Sequence, residues 1–102
     1  MSPIHEIAQY KLRPGTQAET LQQALRPLHA WIARQPGCLD IRSFLSDDEV
    51  TVTDVLAWRD REDANTAMAA TEHHQSLANL MPLVEPESFA CTYGRLVLET
   101  RP

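Results

Sequence analysis

The chain has 102 residues, 43% of them hydrophobic and 23% charged, with a formal net charge of -5. This is the size and make-up of one globular domain, spanning 1-102. Its basic residues are scattered arginines and one lysine, Lys11, so no basic stripe exists to track phosphates and nucleic acid is excluded as a partner. No run approaches the roughly 18 apolar residues of a membrane span.

Met1-Ser2-Pro3-Ile4-His5-Glu6 lacks a basic leader followed by an apolar run, which predicts no signal peptide and a cytoplasmic location. Cys38 and Cys91 stand alone without CxxC spacing, as expected of reduced, mostly buried thiols. The first strand is predicted over Ile4 to Leu12. Ile4, Ala8, Tyr10 and Leu12 share one face, and Ile7 and Gln9 the other. Arg13-Pro14-Gly15 stops it. Thr16-Gln17-Ala18-Glu19 reads as a capping box opening the first helix. Leu21, Leu25, Leu28 and Ile32 then form a single apolar stripe, with Pro27 expected to bend the helix.

Gln35-Pro36-Gly37 ends that helix, Cys38 to Leu45 reads as a second strand, and Ser46 to Glu49 as a polar turn. Val50 to Trp58 is the third strand, with Val50, Val52, Asp54, Leu56 and Trp58 on one face. Asp60, with Asp63 three residues later, marks a helix start over residues 61–70. Thr71-Glu72 breaks it, a short helix carries Leu77, Leu80 and Met81, and Phe89 to Leu98 is the fourth strand. The order β-α-β-β-α(α)-β predicts an α+β fold: a ferredoxin-like βαββαβ sandwich with an antiparallel sheet.

Two residues on the third strand carry the chemistry. Trp58 on the helix-facing side buries on the order of 200 Å² and is either a core anchor or a stacking surface for an aromatic ligand. Asp54 is one carboxylate on an otherwise apolar face, so it must pair, hydrate or hold its proton more tightly than usual. Arg42 and Arg95 are available on neighbouring strands as partners. In a pocket, Asp54 instead becomes a general base for a phenol or an activated methylene. Tyr10 lies on the same side of the sheet as Ala8, whose small side chain leaves room for a ligand. His73 and His74 are about 100° apart on a helix. One of them lines the cleft as acid or base, or both serve as caps and surface. His5, His29, His73, His74, Cys38 and Cys91 show no ligand spacing, so no metal site is predicted.

Lys11-Leu12-Arg13-Pro14-Gly15, Gln35-Pro36-Gly37-Cys38, the alternating strand ending at Trp58, Ala64, and a His before the last helix together resemble the antibiotic biosynthesis monooxygenase family. That family lies within the dimeric α+β barrel superfamily, and the resemblance covers residues 4–98. It implies a homodimer in which two sheets face one another as a barrel, with a small-molecule cleft between each sheet and its own helices. Similar members include cofactor-free oxygenases of anthrone-like aromatics and haem-degrading enzymes. The haem degraders use a first-strand Asn, the third-strand Trp and a last-helix His. Here Trp58 matches, but Ala8 and Ala78 occupy the other two positions, which argues against haem degradation.

The aromatic oxygenases pair the Trp with a polar residue four positions earlier, as Trp58 and Asp54 do, and with tyrosines where this chain has Ser43 and Ala64. The resemblance implies an oxygenase of a small electron-rich aromatic, of quinol or anthrone type, with no flavin, haem or metal cofactor. Asp54, Trp58 and His74 are the expected catalytic residues, and Tyr10, Ala8 and His73 the expected substrate contacts. The alternative is a dimeric small-molecule-binding or stress-related domain without turnover.

Overall fold

A computed structural model describes residues 3–102. Met1 and Ser2, where the reading of a leader-free N-terminus begins, lie outside the described residues. Strand β1 (Ile4–Lys11) leads into helix α1 (Ala18–Ala33), followed by β2 (Cys38–Leu45) and β3 (Thr51–Trp58). Helices α2 (Arg61–Thr71) and α3 (Gln75–Leu80), a 3-10 turn at Met81–Leu83 and strand β4 (Ala90–Gly94) complete the chain order. The sheet runs β2-β3-β1-β4 with every neighbouring pair antiparallel. This is the ferredoxin-like βαββαβ arrangement, in which each βαβ half contributes one central and one edge strand.

Period-two alternation sorts the sheet into two faces. Glu6, Ala8 and Tyr10 of β1 and Val52, Leu56 and Trp58 of β3 are all buried, whereas Ile7 and Phe44 on the other side are exposed. The buried face packs against the α1 stripe Leu21, Leu25, Leu28 and Ile32, joined by Ala64 and Ala67 of α2 and Leu80 of α3. Each fully buried aliphatic side chain contributes about 1.5–3 kcal/mol, so this layer holds the helices to the strands. No helix among the described residues is long and apolar enough to cross a membrane.

The α2 start is as expected: Asp60 caps the helix by accepting the Asp63 N–H at 2.8 Å. The capping box proposed for α1 does not form. The helix begins one residue later, with Gln17 at the cap and no side-chain cap, so the Thr16 oxygen stands outside the first turn. Pro27 lies on the exposed side of α1, and the helix continues through it. Gly37, at φ +84°, turns the chain from α1 into β2.

The strand ends are shorter than expected. Leu12 only bridges to Val84, and Val50 belongs to the turn before β3. The largest difference is at the C-terminus, where β4 stops at Gly94 instead of running on to Leu98. Gly94 pairs with His5, one residue from the end of β1, so the strand runs out of partner there. Val97 and Leu98 are 91% and 81% exposed.

Candidate functional site

Register decides which side chains meet on the buried face. Asp54 lies directly between Ser43 of β2 and Ala8 of β1, and Leu56 lies between Ile41 and Glu6. Trp58 pairs with Ile4, which sets its indole diagonally next to Glu6. Above this floor is a cavity of about 340 Å³. Its floor holds Glu6, Ala8, Tyr10, Asp54 and Trp58, and its roof includes Leu77, Leu80 and Met81 from α3 and the 3-10 turn. Exposed Glu72, Met81 and Phe89 mark the mouth. The volume suits a small organic molecule, and the mix of apolar walls with a few converging polar groups is typical of ligand sites.

Asp54 is neither buried alone nor paired with an arginine. Arg42 faces the other side of the sheet, opposite Val55, and pairs with Asp40 at 3.3 Å. Arg95 lies beyond the end of β4. Asp54 Oδ1 instead accepts a short hydrogen bond of 2.6 Å from the Ser43 hydroxyl. Ser43 Oγ is in turn 2.8 Å from Nε2 of His29 on α1. Burial raises the Asp54 pKa above its ordinary value, against the opposing pull of the Ser43 hydrogen bond, the nearby Tyr10 hydroxyl and the charge of His29.

Glu6 is the second carboxylate of the floor, only 2% exposed. Its Oε1 accepts the Trp58 indole N–H at 3.0 Å, and its Oε2 lies 3.8 Å from the Cys91 thiol. Burial raises its pKa too, and the Asp54 charge adds to the effect. The nearest cation is the Arg61 guanidinium, stacked 3.6 Å above the Tyr93 ring, and it forms no ion pair with Glu6. Burial and the Glu6 charge push Tyr93 up to about 12. The Tyr10 ring stacks on Phe89 with centroids 6.3 Å apart. Its buried hydroxyl makes no hydrogen bond of good geometry, although it lies close enough to Asp54 to favour the charged form of that carboxylate.

The cavity thus brings together Asp54, Trp58, Tyr10 and Ala8 of the residues expected from sequence. It does not include His73 or His74, and their expected place in the cleft is corrected. His73 is exposed. His74 caps α3 by accepting the Ser76 N–H at 3.2 Å, and its ring stacks 3.8 Å from that of Trp31. A residue starting a short helix spends its nitrogen on the orphan amides there, so the imidazole is turned away from the floor. Glu6 was not among the expected site residues, although its even position on β1 places it between Ile4 and Ala8. Among the described residues, no three His, Cys, Asp or Glu side chains gather as a metal-binding group. Both cysteines are free thiols.

Strands and helices in this order, closed over an apolar chamber floored by an indole and two carboxylates, define a small α+β domain built around a ligand-sized cavity. The chain belongs to the antibiotic biosynthesis monooxygenase family, whose model matches residues 3–79. Among solved structures it is similar to the cofactor-independent oxygenase SnoaB of Streptomyces nogalater, at 14% identity and TM-score 0.73, covering 99% of this chain and 97% of that one. It is also similar to the ActVA-Orf6 monooxygenase of Streptomyces coelicolor in complex with nanaomycin D, at 17% identity and TM-score 0.79, covering 99% and 93%. Rv0793 of Mycobacterium tuberculosis shares 19% identity at TM-score 0.75, over 98% and 100% of the two chains. At these identities the likeness shows the fold alone. No curated protein matches the chain.

Proposed function

We propose that this chain is a cofactor-independent monooxygenase of a small electron-rich aromatic, of quinol or anthrone type, acting as a cytoplasmic homodimer. One observation carries this reading: a single cavity touches both Asp54 and Trp58, and no arginine neutralises the acid. Trp58 stacks on the ring, Ala8 leaves space above the strand, and the Tyr10 hydroxyl donates to a substrate oxygen. Asp54 takes a proton from the activated methylene. The carbanion gives its electrons to dioxygen and forms a carbon–oxygen bond, and the peroxide takes up a proton. Loss of water with the second C–H proton leaves the carbonyl, so that R₂CH₂ and O₂ become R₂C=O and H₂O. The protein contributes orientation, exclusion of water and a base that titrates nearer to working pH than a free carboxylate.

The reading extends to the dimer through the outer sheet face. Ile7 and Phe44 are 37% and 51% exposed there, and a second copy laid against that face would cover them. The test is oxygen uptake with an anthrone. General-base catalysis is worth about 10²–10⁴ in rate, or about 3–5 kcal/mol, so Asp54→Asn should lose that much. Uptake at the wild-type rate in Asp54→Asn and Trp58→Phe would falsify the mechanism. The second reading, a binding domain without turnover, is favoured by Ser43 and Ala64, which stand where similar oxygenases carry tyrosines. Binding of the anthrone without oxygen uptake would select it.

A further inference from the structure

Asp54 has two exposures. Its inner side faces the cavity, and its other side leads through Ser43 to His29, both of which line a separate open groove of about 390 Å³ between α1 and β2. The spacing of 2.6 Å from Asp54 Oδ1 to Ser43 Oγ and 2.8 Å from Ser43 Oγ to His29 Nε2 makes an unbroken chain of hydrogen bonds between two compartments. We propose that Ser43 and His29 form a proton relay from Asp54 to this groove. The proposal rests on the oxygenase reading of the cavity.

The chemistry needs such an outlet. A carbanion formed beside a freshly protonated carboxylic acid takes its proton back unless dioxygen arrives first. In the relay, His29 enters as the Nδ1–H tautomer with Nε2 bare; the new Asp54 O–H donates to Ser43 Oγ, the Ser43 hydroxyl turns to His29, and its proton passes to Nε2. Asp54 is again a carboxylate accepting from Ser43, and His29 has become an imidazolium donating to Ser43. The proton now stands two hydrogen bonds from the carbanion and next to solvent. It returns by the same path, or is replaced from water, when the peroxide needs it, so no net proton is released. An imidazole is the side chain suited to gain and lose a proton near neutrality. The other ionisable groups around Asp54 are Glu6 and Tyr10 from β1 and Glu72 at the mouth, while Arg26 shares the groove with His29. None of these is hydrogen-bonded to Ser43. Ser43 and His29 are therefore positioning residues, acting through Asp54.

Hydrogen exchange into 1,8-dihydroxyanthrone under argon in D₂O tests the relay directly. Without oxygen, deuterium enters the methylene only if the abstracted proton escapes. The wild type should exchange above the buffer rate, Ser43→Ala about tenfold more slowly at unchanged KM, and Ser43→Thr, which keeps the hydroxyl, close to wild type. His29→Gln should also slow exchange. Wild-type exchange in Ser43→Ala overturns the relay, and so does equal slowing in Ser43→Ala and Ser43→Thr. If the wild type neither exchanges nor consumes oxygen, the oxygenase reading fails by itself. The relay is then decided by nitrogen NMR of the His29 ring. Asp54→Asn should move that signal in the wild type and leave it unmoved in Ser43→Ala, and a signal indifferent to Asp54→Asn in both overturns it.

Discussion

The indole N–H of Trp58 and the carboxylate of Glu6 meet at 3.0 Å inside the protein, beside the cavity that both residues line. This bond fixes the plane of the indole from below. It also gives Glu6 a partner that carries no charge, so the acid remains costly to ionise.

Glu6→Gln should make stability less dependent on pH. A carboxyl whose pKa is raised in the folded state binds more protons folded than unfolded. Stability therefore falls as pH rises from its ordinary 4.5 through the folded value. Glutamine keeps an oxygen for the Trp58 N–H and has no charge to desolvate. Thermal melts should show the variant at least as stable as wild type at pH 8, with the advantage disappearing at pH 4. An equal difference at both pH values would refute the assignment.

Trp58→Phe removes the donor and leaves a buried carboxylate without its main partner. The unsatisfied acid alone should cost about 1–3 kcal/mol in urea unfolding, with more from the lost ring volume. In Trp58→Phe/Glu6→Gln the penalty should be smaller than the sum of the single changes, because the two residues share one bond.

Tyr10→Phe should behave differently. The hydroxyl is buried without a well-formed hydrogen bond and has only Asp54 close to it, so its removal should change stability by no more than about 1 kcal/mol. Affinity for a hydroxylated aromatic should drop about tenfold, measured by quenching of tryptophan fluorescence, if this hydroxyl meets the ligand.

Gly37→Ala should destabilise the domain by about 1–3 kcal/mol. At φ +84° any side chain is strained, and an added Cβ would collide with the Asp63 carboxylate. That carboxylate holds the Arg59 guanidinium at 2.7 Å, so the collision disturbs the start of α2. Urea titration reads the loss, and a Gly37→Ala protein as stable as wild type would contradict the turn described here.

Much of this fold is visible in the order of residues, because the two periods are clean. The stripe from Leu21 to Ile32 can only be a helix face, and the alternation from Val52 to Trp58 can only be a half-buried strand. Contacts that depend on register are harder to read. Asp54 seemed to want an arginine, yet Arg42 points to the opposite face and Ser43, one residue on, faces the acid. Glu6 shares the parity of Ala8 and Tyr10, but a glutamate between His5 and Ile7 looks like surface until Trp58 is placed diagonally across from it. His29 is invisible for the same reason, since nothing in α1 announces that β2 will bring a serine to its ring. His74 misleads because capping a helix and lining a cleft require the same kind of side chain.

The chamber's floor rides on hydrogen-bonded central strands, whereas part of its ceiling is a six-residue helix followed by a single three-residue turn. A segment this short can be lengthened, trimmed or replaced without shifting one strand against another. Descendants of this chain can thus alter the girth of what they admit while inheriting their reactive groups intact.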